Sequence, residues 1–205
     1  MLRTSSHPAS GPAASRPAIP AGLSLHTAQG RRKYLTPGER ARFITAAAAQ
    51  APDVLTLCLI LAWTGCRISE ALGLTHADLD QDGGIVSIHC LKKRRTGIVR
   101  EVPVPIPVLG ILDLVHGSGP PGARLWPIAR STAWMRVKTV MREAGVGATA
   151  ASPKGLRHGF GVHAVRSGVP LNLLQRWLGH ADIATTAIYA DVMGAEEREI
   201  AARMW

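Results

Sequence analysis

No acidic residue precedes Glu39. Residues 1 to about 30 are instead rich in Ala, Ser, Pro and Gly, a composition that cannot bury enough apolar surface to build a core. With Arg3, Arg16, Arg31, Arg32 and Lys33 ahead of the first carboxylate, three readings stay open: a disordered leader or remnant linker, a basic tail that tracks DNA, and an organelle transit peptide. Cysteine is also scarce. Cys58, Cys66 and Cys90 are an odd set without C-x-x-C spacing, which argues against a disulfide framework or a zinc ribbon and makes a reducing cytoplasm the natural setting. The eight histidines lack metal spacing: His158 and His163 are five apart with no H-E-x-x-H pattern between them. Neither a bound metal nor any other cofactor is expected. The apolar run over residues 54–63 is too short to span a bilayer, so no membrane segment is expected.

What the chain does have is positive charge and enough apolar content for one compact domain. Its 205 residues are 46% hydrophobic and carry a formal net charge of +10, which suits a partner bearing many phosphates. Order is expected from Tyr34 and Leu35, because Thr36-Pro37-Gly38-Glu39 has the pattern of a capping box with proline at the first helical position. A helix should run from there to about residue 50. Asp53 is expected to cap a second, strongly apolar helix that breaks at Gly65, with a short helix from Arg67 to Gly73 after it. Alternation over residues 85–90, resuming at 99–102, predicts a β-hairpin whose tip holds Lys92, Lys93, Arg94 and Arg95. Pro103, Pro105 and Pro107 end it. Amphipathic patterns then return near 107–115, 130–144, 153–167, 170–178, 183–190 and 194–204. The fold class is therefore mostly α with one small antiparallel β-sheet (α+β).

Four stretches carry the chemistry: Thr64-Gly65-Cys66-Arg67-Ile68-Ser69-Glu70, the hairpin lysines, Gly155-Leu156-Arg157-His158, and Leu178-Gly179-His180 with Tyr189 nine residues later. In this order, from about residue 34 to the C-terminus, they resemble the signature of the tyrosine recombinase (phage integrase) family. The resemblance implies that residues 31–205 form a catalytic domain, with Tyr189 attacking a DNA phosphorus to give a 3′-phosphotyrosine. It also implies that His180 donates a hydrogen bond to the same phosphate and that a hairpin lysine protonates the leaving 5′-oxygen. The implied partner is duplex DNA, gripped by a homo-tetramer whose C-terminal helix, near residues 196–204, docks into a neighbour.

The residue types fit that reaction. Exchanging one phosphodiester for another needs a nucleophile, charge stabilisation at the phosphorus and an acid for the leaving oxygen. Arg67 and Arg157 are suited to clamp the phosphate, since a guanidinium fork holds two non-bridging oxygens as a lysine cannot. The plainer alternatives are that Arg67 pairs with Glu70 one turn later, and that Arg157 is a solvated cation on a helix face. Of the two tyrosines, Tyr34 belongs to the start of the ordered region, which leaves Tyr189 as the nucleophile. Lys92 and Lys93 both qualify as the acid, and Lys92 is favoured as the first polar residue after the strand; adjacent strand side chains face opposite ways, so only one enters the site. The remaining hairpin cations, Lys93, Arg94, Arg95 and Arg100, are expected to track DNA phosphates. His158 is expected to brace Arg157 and the local packing.

Two departures from the family pattern stand out. The position three before the second arginine is usually histidine in the family, and here it is Lys154. An unperturbed lysine is protonated and cannot take a proton, so Lys154 is expected to stay charged and bind a phosphate beside the scissile one, with Tyr189 losing its proton to DNA oxygen or water. Family members also usually carry an N-terminal DNA-clamping domain, and nothing before Tyr34 has the composition to form one; it is expected to be absent. Two other functions stay open: a DNA-binding module without turnover, and a type IB topoisomerase, which shares the chemistry but works as a monomer.

Overall fold

The computed structural model describes residues 24–91, 97–117, 119–120 and 122–190. Helix α1 (Pro37–Ala48) starts where the sequence places it: Thr36 accepts from the Glu39 backbone N–H while the Glu39 carboxylate accepts from the Thr36 N–H. Helix α2 (Pro52–Thr64) is apolar on every side and is buried on nearly every side, the behaviour of a central core helix. Asp53 does not cap it. The cap position is Ala51, Pro52 takes the first helical position, and the Asp53 carboxylate instead pairs with Arg136. Gly65, with φ of 60°, ends α2 in the left-handed conformation, and the short α3 (Ile68–Ala71) follows.

Strands β1 (Leu79–Asp80), β2 (Ile85–His89) and β3 (Val99–Pro103) form one antiparallel sheet in that order. The hairpin register pairs Val86 with Val102 and Ile88 with Arg100. These side chains share a face, and it is the buried one. Helices α4 (Ile106–His116), α5 (Arg130–Glu143), α6 (Pro153–Arg166), α7 (Leu171–Leu178) and α8 (Ala184–Ala187) follow, close to the amphipathic segments. The mostly helical fold with one small antiparallel sheet is as the sequence predicts. The pattern at 194–204 lies outside the described residues.

The larger core cluster packs α1, α4, α5 and the sheet around α2. A smaller cluster joins Phe160, Val162 and Val165 of α6 to Leu174 and Leu178 of α7, and takes in Ile188, Tyr189, Tyr34 and Leu25. Order therefore begins earlier than Tyr34. Leu25 is buried, His26 and Arg32 form an antiparallel bridge, and Lys33 N–H donates to the Leu25 carbonyl at 2.9 Å.

Candidate active site

The site lies where the two core clusters meet, at the ends of α2, α6 and α7. The turn after Gly65 puts Arg67 directly before α3, and Glu70 folds back on it, accepting from the Arg67 backbone N–H at 2.8 Å and from Nη1 at 2.8 Å. The pairing with Glu70 is thus real, yet a third of the Arg67 side chain stays exposed, facing the cleft. Glu70 is shared: its Oε2, which accepts the Arg67 backbone N–H, also accepts from Arg100 Nη2 at 2.6 Å. Burial pushes the Glu70 carboxyl up, but the Arg100 hydrogen bond and charge, with Arg67 behind them, outweigh it and hold the group below the usual range.

That pairing sets Arg100 apart from the exposed position expected of a DNA-tracking cation. Its side chain is buried beneath the sheet, with Nε donating to the Trp177 carbonyl at 2.7 Å. The physical reason is strand parity, since Arg100 is two residues from the fully buried Val102 and shares its face. Lys92, Lys93, Arg94 and Arg95 lie outside the described residues.

Helix α6 delivers Arg157. Ser152 caps it by accepting from Gly155 N–H at 3.0 Å, and Pro153 and Lys154 open it. Arg157 is not a solvated cation. It is 8% exposed, donating through Nη1 to the Gly65 carbonyl at 2.8 Å and through Nη2 to the Leu178 carbonyl at 2.7 Å, so the ends of α2 and α7 hold it. Carbonyls at helix C-termini carry partial negative charge and suit a cation. They use two of its five N–H donors. Among the described residues no carboxylate forms an ion pair with it. Burial pulls it down to about 10, with Arg67 adding to the effect, and it remains charged at neutral pH.

His180 follows Gly179, which ends α7 with φ of 65°. Its Nδ1 lies 2.9 Å from the buried Thr186 hydroxyl, and its ring stacks on Tyr189 with centroids 6.3 Å apart. Tyr189 is 1% exposed. Its ring lies so close to Gly161 that a Cβ there would sit 2.6 Å from it, which is why α6 carries a glycine in mid-helix despite the cost to helix stability. Its hydroxyl is 3.1 Å from His158 Nδ1. Burial pushes the phenol up to about 12, although Arg157 and Arg67 pull the other way.

Arg67, Lys154, Arg157, His158, His180 and Tyr189 line one cleft of about 430 Å³, with Arg130 and Trp134 of α5 on its wall. Lys154 is exposed there. His158 faces the tyrosine hydroxyl rather than bracing Arg157, and Arg130 and Trp134 have no motif that could have singled them out.

Residues 33–196 match the phage integrase family. The chain is 34% identical over 155 residues to the tyrosine recombinase XerD of Mycobacterium tuberculosis, covering 69% of this chain and 48% of that protein. It is 31% identical over 163 residues to XerD of Pseudomonas aeruginosa, covering 72% and 52%. The chain thus spans about half the length of the curated relatives it matches. The crystal structure of XerA recombinase shares the fold with a TM-score of 0.70 at 26% identity, covering 83% of this chain and 64% of that one. The catalytic domain of bacteriophage HP1 integrase shares it with a TM-score of 0.63 at 22% identity, covering 83% and 93%. With the matched segment reaching from Lys33 past Tyr189 and taking in every motif of the cleft, the chain belongs to the phage integrase family, the tyrosine recombinases.

Proposed function

We propose that this chain is the catalytic domain of a site-specific recombinase that cleaves and rejoins duplex DNA. The observation that carries the reading is convergence: Arg67, Arg157 and the pair His180 and Tyr189 come from three separate stretches of sequence and line a single cleft. In the proposed reaction Tyr189 Oη attacks the scissile phosphorus, giving a 3′-phosphotyrosine that conserves the bond energy for rejoining. Arg157, whose fixed guanidinium has donors to spare, and Arg67 hold the non-bridging oxygens as charge builds on them. His180 donates to the same phosphate. Lys92, with Lys93 as the alternative, protonates the leaving 5′-oxygen. Lys154, exposed in the first turn of α6, binds a phosphate beside the scissile one. The active assembly is a tetramer on DNA in the cytoplasm, with residues 196–204 docking into a neighbour; no described helix is long and apolar enough to cross a membrane.

The test is a nicked suicide duplex incubated with the protein in excess EDTA. A covalent adduct is expected without divalent metal, because the guanidinium groups supply the positive charge. An adduct that survives Tyr189→Phe, or one that needs Mg²⁺, overturns the assignment. The burial of Tyr189 favours a second reading, a site-occupying DNA-binding module without turnover. A mobility shift without any adduct would support it.

A further inference from the structure

Something must take the phenolic proton of Tyr189 as it attacks, and Lys154, which stands where the family usually has histidine, is exposed on the cleft wall. Among the described residues, the group hydrogen-bonded to the Tyr189 hydroxyl is His158, with Nδ1 at 3.1 Å. The two rings are 5.9 Å apart at 55°, and the tyrosine is held in place by Gly161 beneath it and His180 stacked beside it. We propose that His158 is the proton acceptor for Tyr189, a catalytic role next door in sequence to the phosphate-clamping Arg157. The inference rests on the recombinase reading above.

The surroundings keep His158 able to accept. Burial first, then the charges of Lys154 and Arg157 on its own helix and of Lys33 on the N-terminal segment, pull it down to about 4. It is therefore neutral throughout the physiological range. In the Nε2–H tautomer the phenol donates to the Nδ1 lone pair.

A phenol at about 12 does not hand its proton to an imidazole at about 4 before the reaction begins. The transfer accompanies attack. As the Oη–P bond forms, the phenol oxygen loses its basicity and its proton passes to Nδ1; as the P–O5′ bond breaks, the leaving oxygen takes a proton from the hairpin acid. The phosphate helps, because an anion in the cleft offsets Lys33, Lys154 and Arg157 and favours the imidazolium. On rejoining, the incoming 5′-hydroxyl attacks the phosphotyrosine and gives its proton back to the hairpin amine, while Nδ1–H returns its proton to the departing phenolate.

His158→Asn and His158→Ala separate this role from simple positioning. The Asn carboxamide oxygen can accept the phenol's hydrogen bond as Nδ1 does, but it cannot take up a proton. The substrate is a nicked duplex that the wild-type protein selects from a random-sequence pool by mobility shift, and single-turnover adduct formation is followed from pH 5.5 to 9.5. The wild-type rate should show no limb attributable to His158 near neutrality. Both variants should bind the duplex but cleave about 10²–10⁴-fold more slowly, with rates climbing towards alkaline pH as the phenol ionises unaided. A His158→Asn protein that cleaves at close to the wild-type rate with the same pH profile overturns the proposal and makes His158 a positioning residue. If the wild-type protein shifts the duplex yet forms no adduct, the recombinase reading itself fails, and this inference with it.

Discussion

Arg100 Nη2 lies 2.6 Å from Glu70 Oε2, both side chains buried, so the hairpin is tied to the helix that follows Arg67 by an ion pair beneath the sheet. Removing one partner of such a pair strands the other charge, which costs about 3–5 kcal/mol. Because Arg67 still pairs with Glu70, Arg100→Met should fall at the low end of that range in denaturant unfolding. The same variant should leave the salt dependence of DNA binding alone. A log–log slope shallower by about 0.9 would instead mark Arg100 as a phosphate contact.

Gly161 faces the ring of Tyr189, the proposed nucleophile, with no room for a methyl group. Gly161→Ala should push Tyr189 off His158 and His180, lowering adduct formation by at least about tenfold while leaving DNA affinity within about twofold. Equal losses of affinity and rate would point to a general failure of packing.

Acid stability should depend on Glu39. Burial raises its pKa, but hydrogen bonds from Arg32 and Thr36 outweigh that and bring it from 4.5 down to about 2. A carboxylate depressed in the folded state contributes stability that is fully present above the unfolded value and lost as pH falls through the folded one. The window is therefore pH 4.5 down to about 2. Thermal melts of Glu39→Gln should be lower than wild type at neutral pH, and the gap should close across that window. A gap that is constant with pH would contradict the assignment.

The hairpin acid can be identified by replacing the leaving 5′-oxygen with sulfur, which departs without a proton. Lys92→Ala should cleave ordinary DNA slowly, by about 10²–10⁴-fold, and recover on the 5′-thio duplex. Recovery by Lys93→Ala instead would shift the register by one residue.

Local chemistry made much of this molecule legible in its sequence. The Thr36–Glu39 capping box, the glycine that ends α2 and the alternation of β2 and β3 are decided within a few residues, so the amino-acid order suffices. The motifs also pointed to Arg67, Arg157, His180 and Tyr189 as a group. Even the inward face of Arg100 was present as parity with Val102, though the charge of the side chain argued the other way.

What the order of residues could not decide depends on partners distant in sequence. Asp53 looked like a cap, but Pro52 starts the helix and Arg136, far along the chain, claims the carboxylate. Leu25 sits in a segment too polar to fold alone and is ordered by a cluster drawn from α6 and α7. For Arg157 the sequence left a solvated helix-face cation open beside the clamp, and carbonyls from two other helix ends hold it fixed and buried instead. His158 looked like a brace until the approach of α6 to the segment after α8 put Nδ1 against the tyrosine hydroxyl. Sequence periodicity reports which face of an element is apolar. Which polar atoms meet across the packed interface is decided by the packing itself, because hydrogen bonds act over about 3 Å and the chain must fold to bring their atoms that close.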